Sequence, residues 1–413
     1  MNRFSHSLYV LIAVWLSIVP SQTNAMSRSE AETQFRNWLA TAVNRDARAA
    51  GVKQALYDQV TETLALDWSI PDLRPPGSGG GQTQRQAEFG SPGPYFNERT
   101  LSSLAATGRS LLARHGRTLD AIERRYGVPR RIVVAIWGKE SAFGRAKIPH
   151  NALRILATQA FMGARKEIFY PELIAALKII GEDHIAPGEM KSSWAGALGQ
   201  PQFLPSKFLQ YAVDFDGDGK RDIWGSEPDT LASIANFLHK HGWQTGRDWG
   251  FEAVIPASIS CALEGPEQGK LIAEWARMGA TRVSGNPFPD HEARRGGYLL
   301  MPAGRHGPAF IATDNFYVLK SYNESDLYAL YIGNLADRMA GGGAFKGSWQ
   351  KVGGFQRSAV AAMQRRLEQK GHDVGGADGL VGFKTRIAVG KWQTAQGQTP
   401  TCFPDAKLVK ELR

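Results

Sequence analysis

The sequence predicts a mainly helical α+β protein that is divided into several domains. Apolar residues recur at helical spacing through most of the chain, short strand-like runs follow Cys261, and a glycine run at residues 340–345 interrupts the pattern. A chain of 413 residues exceeds the usual size of one domain, so two or three domains are expected. Because 43% of the residues are hydrophobic, the chain has enough apolar side chains for a sizeable core.

Residues 1–25 have the features of a secretory signal peptide. A short basic region, Asn2-Arg3, precedes an apolar core at residues 8–19. A cleavage region of small residues follows and ends at Ala25. The apolar stretch is short for a membrane span, although a retained anchor helix is the alternative. Since no cysteine lies near the expected cleavage point, we expect no lipid attachment. The sequence therefore predicts a soluble periplasmic protein without stable membrane insertion.

The chain contains two cysteines, Cys261 and Cys402. Export would make a disulfide bond between them chemically possible. They fall in different predicted domains, however, and we therefore expect two free, buried thiols.

The charge balance favours an anionic partner. Lysine and arginine number 49 against 39 aspartate and glutamate residues, which gives a net charge of +10. Nucleic acid, acidic lipid and an anionic cell-wall polymer all satisfy this condition.

Helical periodicity locates the predicted elements in chain order. Residues 27–66 predict one or two amphipathic helices, and the proline- and glycine-rich residues 71–94 predict a long surface loop. Further helices are predicted at residues 152–163, 167–180, 231–241, 265–278 and 324–338.

The stretch at residues 127–144, G-V-P-R-R-I-V-V-A-I-W-G-K-E-S-A-F-G, carries the candidate catalytic group. A helix is expected to begin near Pro129, because proline suits a first helical turn. The apolar side chains of this helix leave little water around Glu140 at its far end, which predicts a raised pKa and a proton donor. The alternative is a helix-end glutamate paired with Lys139 or Arg145.

Two motifs that follow one another along the chain resemble motifs of the lytic murein transglycosylases of the membrane-bound type B family. They are E-S-A-F-G at Glu140 and S-S-W-A-G-A-L-G-Q-P-Q-F-L-P-S at residues 192–206. The resemblance implies a lysozyme-like, multi-lobed catalytic domain at residues 26–340. It also implies cleavage of the β-1,4 bond between N-acetylmuramic acid and N-acetylglucosamine without water, which leaves a 1,6-anhydro end. Glu140 would act as acid and then as base, with no catalytic cofactor.

The same resemblance implies the substrate-binding residues and the partner. Ser193 and Gln202 stand at active-site positions of the second motif, and N-F-Y-x-x-x-x-Y-N at residues 315–323 places Tyr322, Asn323 and Tyr328 over the Glu140 pocket. Tyrosine and asparagine can stack on and hydrogen-bond a sugar without adding charge. The expected partner is the glycan strand of peptidoglycan rather than nucleic acid, and the expected state is a monomer.

A D-x-D-x-D-G pattern begins at Asp214 and predicts an EF-hand-like loop that can hold a structural Ca²⁺ ion. Gly225 stands where a regular loop has its closing glutamate, and in the family Asp229 is aligned to that role. The implied metal ligands are Asp214, Asp216, Asp218, Lys220 and Asp229. A solvated loop without an ion is the alternative.

After a linker at residues 341–353, residues 354–413 resemble the small three-helix peptidoglycan-binding domain. Its motif positions include Gln364, Asp378-Gly379, Thr385 and Gln393. Two other functions stay open at this point: a muramidase-type hydrolase and a non-catalytic scaffold that binds the cell wall.

Overall fold

A computed structural model describes residues 26–76, 92–352 and 355–412. The predicted signal peptide and most of the predicted loop at residues 71–94 lie outside these ranges. In the described ranges, no helix combines the length and the apolar character that a membrane crossing would need.

Helices dominate the structure, and seventeen are described here. They are α1 Arg28–Trp38, α2 Asn44–Ala49, α3 Gln54–Thr61, α4 Glu98–Arg114, α5 Gly116–Tyr126, α6 Arg130–Ser141, α7 Ala152–Met162, α8 Lys166–Gly181, α9 Pro205–Tyr211, α10 Glu227–Lys240, α11 Ile272–Arg277, α12 Asp290–Ala293, α13 Asp314–Asn323, α14 Asp326–Met339, α15 Arg357–Gln369, α16 Phe383–Ala395 and α17 Ala406–Glu411. A π-helical segment, Leu39–Val43, joins α1 to α2.

Helix α6 lies at the centre of the largest core. It packs against α4, α5, α10 and α14, and its residues 132–138 are all buried. Gly127 ends α5 in the left-handed conformation, and Pro129 is the N-cap of α6, as expected near its start. The sequence around residues 127–130 thus turns the chain sharply and directs an apolar helix into the core.

The described part of the chain contains seven strands in two sheets: β1 His150–Asn151, β2 Lys191–Ser192, β3 Gly250–Val254, β4 Lys270–Leu271, β5 Thr281–Arg282, β6 Gly296–Leu300 and β7 Ala309–Ala312. Strands β1 and β2 pair with each other, and the other five form an antiparallel sheet in the order β4-β6-β7-β3-β5. In the central pair, Phe251 faces Ile311 across the ladder. The sheet has its own hydrophobic core around Trp275 and Ile311.

The prediction of a helix at residues 265–278 is wrong in length, because α11 covers only Ile272–Arg277. Gly265 has a φ of 103°, Pro266–Gln268 form a short 3-10 turn, and only Lys270 and Leu271 are extended, in β4, which pairs with β6. Helix α10 begins four residues earlier than expected, where the Ser226 hydroxyl accepts a hydrogen bond from the Asp229 amide.

Helices α15, α16 and α17 pack around a separate core that includes Met363, Leu367 and Trp392. The three helices agree with the number predicted for the C-terminal domain. The preceding segment, predicted as a linker, contacts the rest of the protein. Trp349 stacks on Phe96 with ring centroids 5.1 Å apart, and the Lys346 and Gly347 amides donate to the Glu252 carboxylate.

The prediction of two free thiols is wrong, because Cys261 and Cys402 form a disulfide bond. Both cysteines are fully buried in the core beside the five-stranded sheet. The two predicted domains therefore meet at this core, and their separation in sequence did not prevent contact.

A buried ion pair joins the same two parts of the chain. The Arg386 guanidinium of α16 donates to both carboxylate oxygens of Glu264, at 2.9 and 2.6 Å, and it also contacts Asp326 at the start of α14. Burial raises the pKa of Glu264, whereas the Arg386 charge and hydrogen bonds oppose that rise. The C-terminal helices are thus held by the disulfide bond and by the ion pairs of Arg386 with Glu264 and Asp326.

Candidate active site

Glu140 lies in the last turn of α6 and is half-buried. The Tyr328 hydroxyl, from the first turns of α14, donates a hydrogen bond of 2.5 Å to its Oε1 atom. The two basic residues that the sequence offered as partners also make other contacts. The Lys139 ammonium lies over the rings of Tyr95 and Tyr331, and Arg145 donates to the Ala142 carbonyl.

A second tyrosine stacks beside the first. The Tyr322 and Tyr328 rings are nearly parallel, at 10°, with centroids 6.1 Å apart. The Tyr322 hydroxyl donates to the Pro201 carbonyl at 2.7 Å. Burial, together with the negative charge of Glu140, raises the pKa of both phenols well above the ordinary value. Both hydroxyls consequently keep their protons at neutral pH and serve as donors.

Backbone strain follows Glu140 directly. Ala142 and Phe143 have φ values of 50° and 61°, a region that residues with a β-carbon rarely adopt. The Ala142 and Phe143 amides return to the carbonyls of Gly138 and Trp137, and these bonds end the helix. Gly144 is also left-handed, and a β-carbon there would lie 2.4 Å from the Gln200 Oε1 atom. This explains the glycine of the E-S-A-F-G motif.

Gln200 was not among the predicted site residues, although it connects three segments. The buried Trp137 indole donates to Gln200 Oε1 at 2.7 Å, and Gln200 Nε2 donates to the Trp224 carbonyl at 2.9 Å. Gln200 therefore couples helix α6 to residues 192–206 and to the acidic loop. Its only sequence signal was its place within the glycine-rich motif.

Gln202 lies between two residues that contact Tyr322. Pro201 accepts the Tyr322 hydrogen bond, and the Phe203 ring lies 5.9 Å from the Tyr322 ring. Gln202 itself has a φ of 55°, and its side-chain amide nitrogen Nε2 donates to the Gly199 carbonyl at 2.9 Å. The structure thus places the backbone of Gln202 close to Tyr322, while the Gln202 side chain bonds within its own turn.

Ser193 and Asn323 make no side-chain contact with Glu140 or Tyr328 among the described hydrogen bonds, and each lies next to a segment that contacts the tyrosine pair. The Ser193 hydroxyl accepts a hydrogen bond from the Ala197 amide at 3.3 Å, within the turn that leads to Gln202. Asn323 is exposed and is the last residue of α13, directly after Tyr322. Asn323 therefore follows Tyr322 directly in the sequence and lies on the protein surface.

The acidic loop brings three of its predicted ligands together. Asp214, Asp216 and Asp229 each offer a carboxylate oxygen, and these oxygens lie within 4.8 Å of one another. Asp218 and Lys220 are exposed and are not part of that group. Burial, helped by the nearby Asp216 charge, raises the pKa of Asp229. A convergent set of carboxylates with one buried member fits a hard cation such as Ca²⁺.

The comparison with protein families identifies the class of the chain. Residues 34–337 match the family described as "Transglycosylase SLT domain", and residues 356–412 match a peptidoglycan binding domain. The chain therefore belongs to the SLT transglycosylase family. The lysozyme-like fold predicted for the catalytic part, followed by a helical C-terminal domain, is confirmed.

Particular relatives agree with this assignment. SltB3 from Pseudomonas aeruginosa, solved with NAG-anhNAM-pentapeptide, is 37% identical with a TM-score of 0.80, covering 92% of this chain and 99% of that protein. Membrane-bound lytic murein transglycosylase B of Escherichia coli K12 is 34% identical over 226 residues, which span 54% of this chain and 60% of that protein. The calcium complex of Escherichia coli Slt35 is 29% identical with a TM-score of 0.51, covering 60% and 79% of the two chains.

Proposed function

We propose that the protein is a lytic transglycosylase that cleaves the glycan strands of peptidoglycan. The observation that carries this proposal is the position of Glu140, half-buried at the end of an apolar helix and hydrogen-bonded by Tyr328. Membership of the SLT family and the likeness to SltB3, which was solved with a NAG-anhNAM ligand, support it.

The proposed reaction needs one protein acid/base. Glu140 protonates the glycosidic oxygen as the bond from C1 of N-acetylmuramic acid to that oxygen breaks. The C6 hydroxyl oxygen of the same sugar then bonds to C1, and its proton passes to the Glu140 carboxylate. The enzyme regains its starting protonation, and no water is consumed. The Tyr328 hydrogen bond stabilises the carboxylate that exists between the two proton transfers.

Five residues are proposed to position the sugars: Ser193, Gln202, Tyr322, Asn323 and Tyr328. The contacts of Tyr322 with Pro201 and of Gln202 with Gly199 support this role, because they restrain both side chains, and Tyr322 stacks on Tyr328, the partner of Glu140. Fixed polar groups orient a bound ligand at a low entropic cost.

We propose that the acidic loop holds a structural Ca²⁺ ion, with Asp214, Asp216 and Asp229 as the carboxylate ligands. Asp218 and Lys220 lie outside this group of carboxylates, so they would have to move closer to the ion in order to coordinate it. Lys220 would do so through its backbone carbonyl. The ion would neutralise the converging carboxylates and would take no part in proton transfer. The relative Slt35 of Escherichia coli, which was solved in complex with calcium, supports this assignment.

We also propose that residues 1–25 direct export to the periplasm, that residues 26–340 form the catalytic domain, and that residues 354–413 bind peptidoglycan as part of a monomer. The Cys261–Cys402 disulfide supports export, because such bonds persist in oxidising compartments. The positive net charge of +10 supports attraction to an anionic polymer.

Replacement of Glu140 tests the proposal. We expect Glu140→Gln to lower the release of anhydro-muropeptides from purified sacculi by about 10³-fold or more, because the amide cannot deliver or accept the proton. Sacculus binding in a pull-down should persist. Glu62→Gln, an exposed control, should retain wild-type activity. Mass spectrometry of the products decides the reaction: products heavier by one water would indicate a hydrolase, and binding without soluble products would indicate a scaffold.

A further inference from the structure

Lys207 is a half-buried lysine in α9 whose side chain contacts Tyr322. Its ammonium donates to the Tyr322 carbonyl at 3.3 Å and lies 6.0 Å from the centre of the Tyr322 ring and 5.1 Å from the Phe237 ring. Tyr322 stacks on Tyr328, which donates to Glu140. Lys207 is thus connected to the candidate acid through two stacked rings.

The start of α9 holds this lysine in place. The Ser206 amide and hydroxyl both donate to the Glu172 carboxylate of α8, at 2.8 and 2.6 Å. Since Lys207 is the next residue, the direction in which its side chain leaves the backbone is fixed by α8. The carbonyl of Tyr322 is in the last turn of α13, where a cation is also favoured by the helix dipole.

Three carboxylates from different elements face Lys207. They are Glu140 at the end of α6, Glu172 of α8, and Glu324 in the turn between α13 and α14. Burial lowers the pKa of Lys207, and the charges of Glu324, Glu140 and Glu172 oppose that change. The Lys207 side chain therefore interacts electrostatically both with the candidate acid and with an exposed carboxylate, Glu324.

We propose that Lys207 is a positioning residue that sets the proton affinity of Glu140 through its positive charge. This inference rests on the proposed function, in which Glu140 must give up a proton and then accept one. In an apolar site the carboxylate formed by the first transfer is poorly solvated. The Lys207 ammonium, which is held by the Tyr322 carbonyl, stabilises that carboxylate through its charge and so favours the first transfer.

Charge variants test the inference. The value of kcat/KM should fall at high pH as Glu140 loses the proton needed for the first transfer. Removal of a nearby cation by Lys207→Met should move that fall to higher pH by about 0.5 unit and lower kcat by about threefold. Lys207→Arg, which keeps the charge, should stay within about 0.2 unit of wild type. Glu324→Gln removes an anion and should move the fall slightly to lower pH, with an effect that shrinks at high salt.

Opposite shifts of the pH profile in Lys207→Met and Glu324→Gln distinguish this role from a purely structural one. If Lys207 only held α13 in place, Lys207→Met and Lys207→Arg would both lose activity without displacing the pH profile. Equal profiles for wild type, Lys207→Met and Glu324→Gln would overturn the inference. Near-ultraviolet circular dichroism controls for intact packing in each variant.

A titration without turnover separates this inference from the proposed function. The ¹³C signal of the Glu140 side-chain carboxyl, assigned by its loss in Glu140→Gln, should titrate about 0.5 pH unit higher in Lys207→Met than in the wild-type protein. That shift would support the role of Lys207 even if the wild-type protein released no anhydro product. An unchanged midpoint would reject it even if the protein proved to be a transglycosylase.

Discussion

Asp337 shows how one side chain in α14 can make stability depend on pH. Its carboxylate accepts a hydrogen bond from the Trp249 indole at 3.0 Å, yet burial raises its pKa to about 6. Because the folded-state pKa is the higher one, the folded protein binds the proton more tightly than the unfolded chain does. The stabilisation is complete below pH 4 and is lost as the pH rises through about 6.

We therefore expect Asp337→Asn to remove part of the decline in melting temperature between pH 4 and pH 6.5. The raised pKa of Asp337 corresponds to a contribution of at most about 3 kcal/mol to the free energy of unfolding. Differential scanning calorimetry of wild type and variant across this range would measure the difference. The exposed Asp58→Asn serves as the control. Parallel pH curves for wild type and Asp337→Asn would contradict the assignment.

Individual residues also mark the limit of sequence reasoning. Glu140 could be singled out because an apolar run and a short motif surround it within about 15 residues of chain. Gln200 and Lys207 could not, since their partners Trp137 and Tyr322 are distant in sequence and meet them only after folding. A sequence pattern identifies a functional residue when its neighbours in space are also its neighbours in sequence. A residue whose partners are distant in sequence can be recognised only from the tertiary structure.

At the scale of elements, the long helices were predictable and the short ones were not. Helices α7 and α8 lie within one residue of the predicted bounds, because their apolar periodicity is uninterrupted. Helix α11 was predicted too long, since the pairing of β4 with β6 overrides the helical pattern of residues 265–271. Strands of two residues carry too little sequence to be recognised before their partners are known.

The acidic loop permits a prediction that distinguishes its carboxylates. We expect Ca²⁺ to raise the melting temperature of the wild-type protein, with a gain of about 2.7 kcal/mol in unfolding free energy at a hundredfold excess over the dissociation constant. Asp216→Asn should abolish this gain, because Asp216 belongs to the convergent group. Asp218→Asn, a matched change outside that group, should retain most of it.

Calorimetry with Ca²⁺ and with a chelator would measure both variants. An equal loss in Asp216→Asn and Asp218→Asn would mean that the bound loop differs from the one described here. No response of the wild-type protein to Ca²⁺ would exclude an ion at this loop.

At the scale of the whole molecule, the disulfide and the Arg386–Glu264 ion pair fix the C-terminal helices against the five-stranded sheet. Sequence reasoning placed the two cysteines in different domains and inferred that they would not meet. That inference treated a domain boundary as a spatial separation. The aromatic contact of Trp349 with Phe96 shows that the intervening segment is itself packed, so it does not act as a free spacer.

We expect the double variant Cys261→Ala/Cys402→Ala to have a lower melting temperature than the wild-type protein. A cross-link between cysteines 141 residues apart stabilises by about 5 kcal/mol in the chain-entropy account, and measured gains are often smaller. Dithiothreitol should destabilise the wild type and leave the variant unaffected. Small-angle X-ray scattering would report any increase in the radius of gyration. A wild-type protein that is indifferent to reductant would show that the disulfide adds little.

The same cross-link encloses the chain from residue 261 to residue 402, which includes both tyrosines of the candidate site but not Glu140. A protease that nicks one surface loop inside this ring produces two fragments that remain covalently attached. Tyr328 would then stay tethered beside Glu140 after the backbone has been cut. In a compartment exposed to secreted proteases, such an arrangement lets an enzyme tolerate a break in its chain.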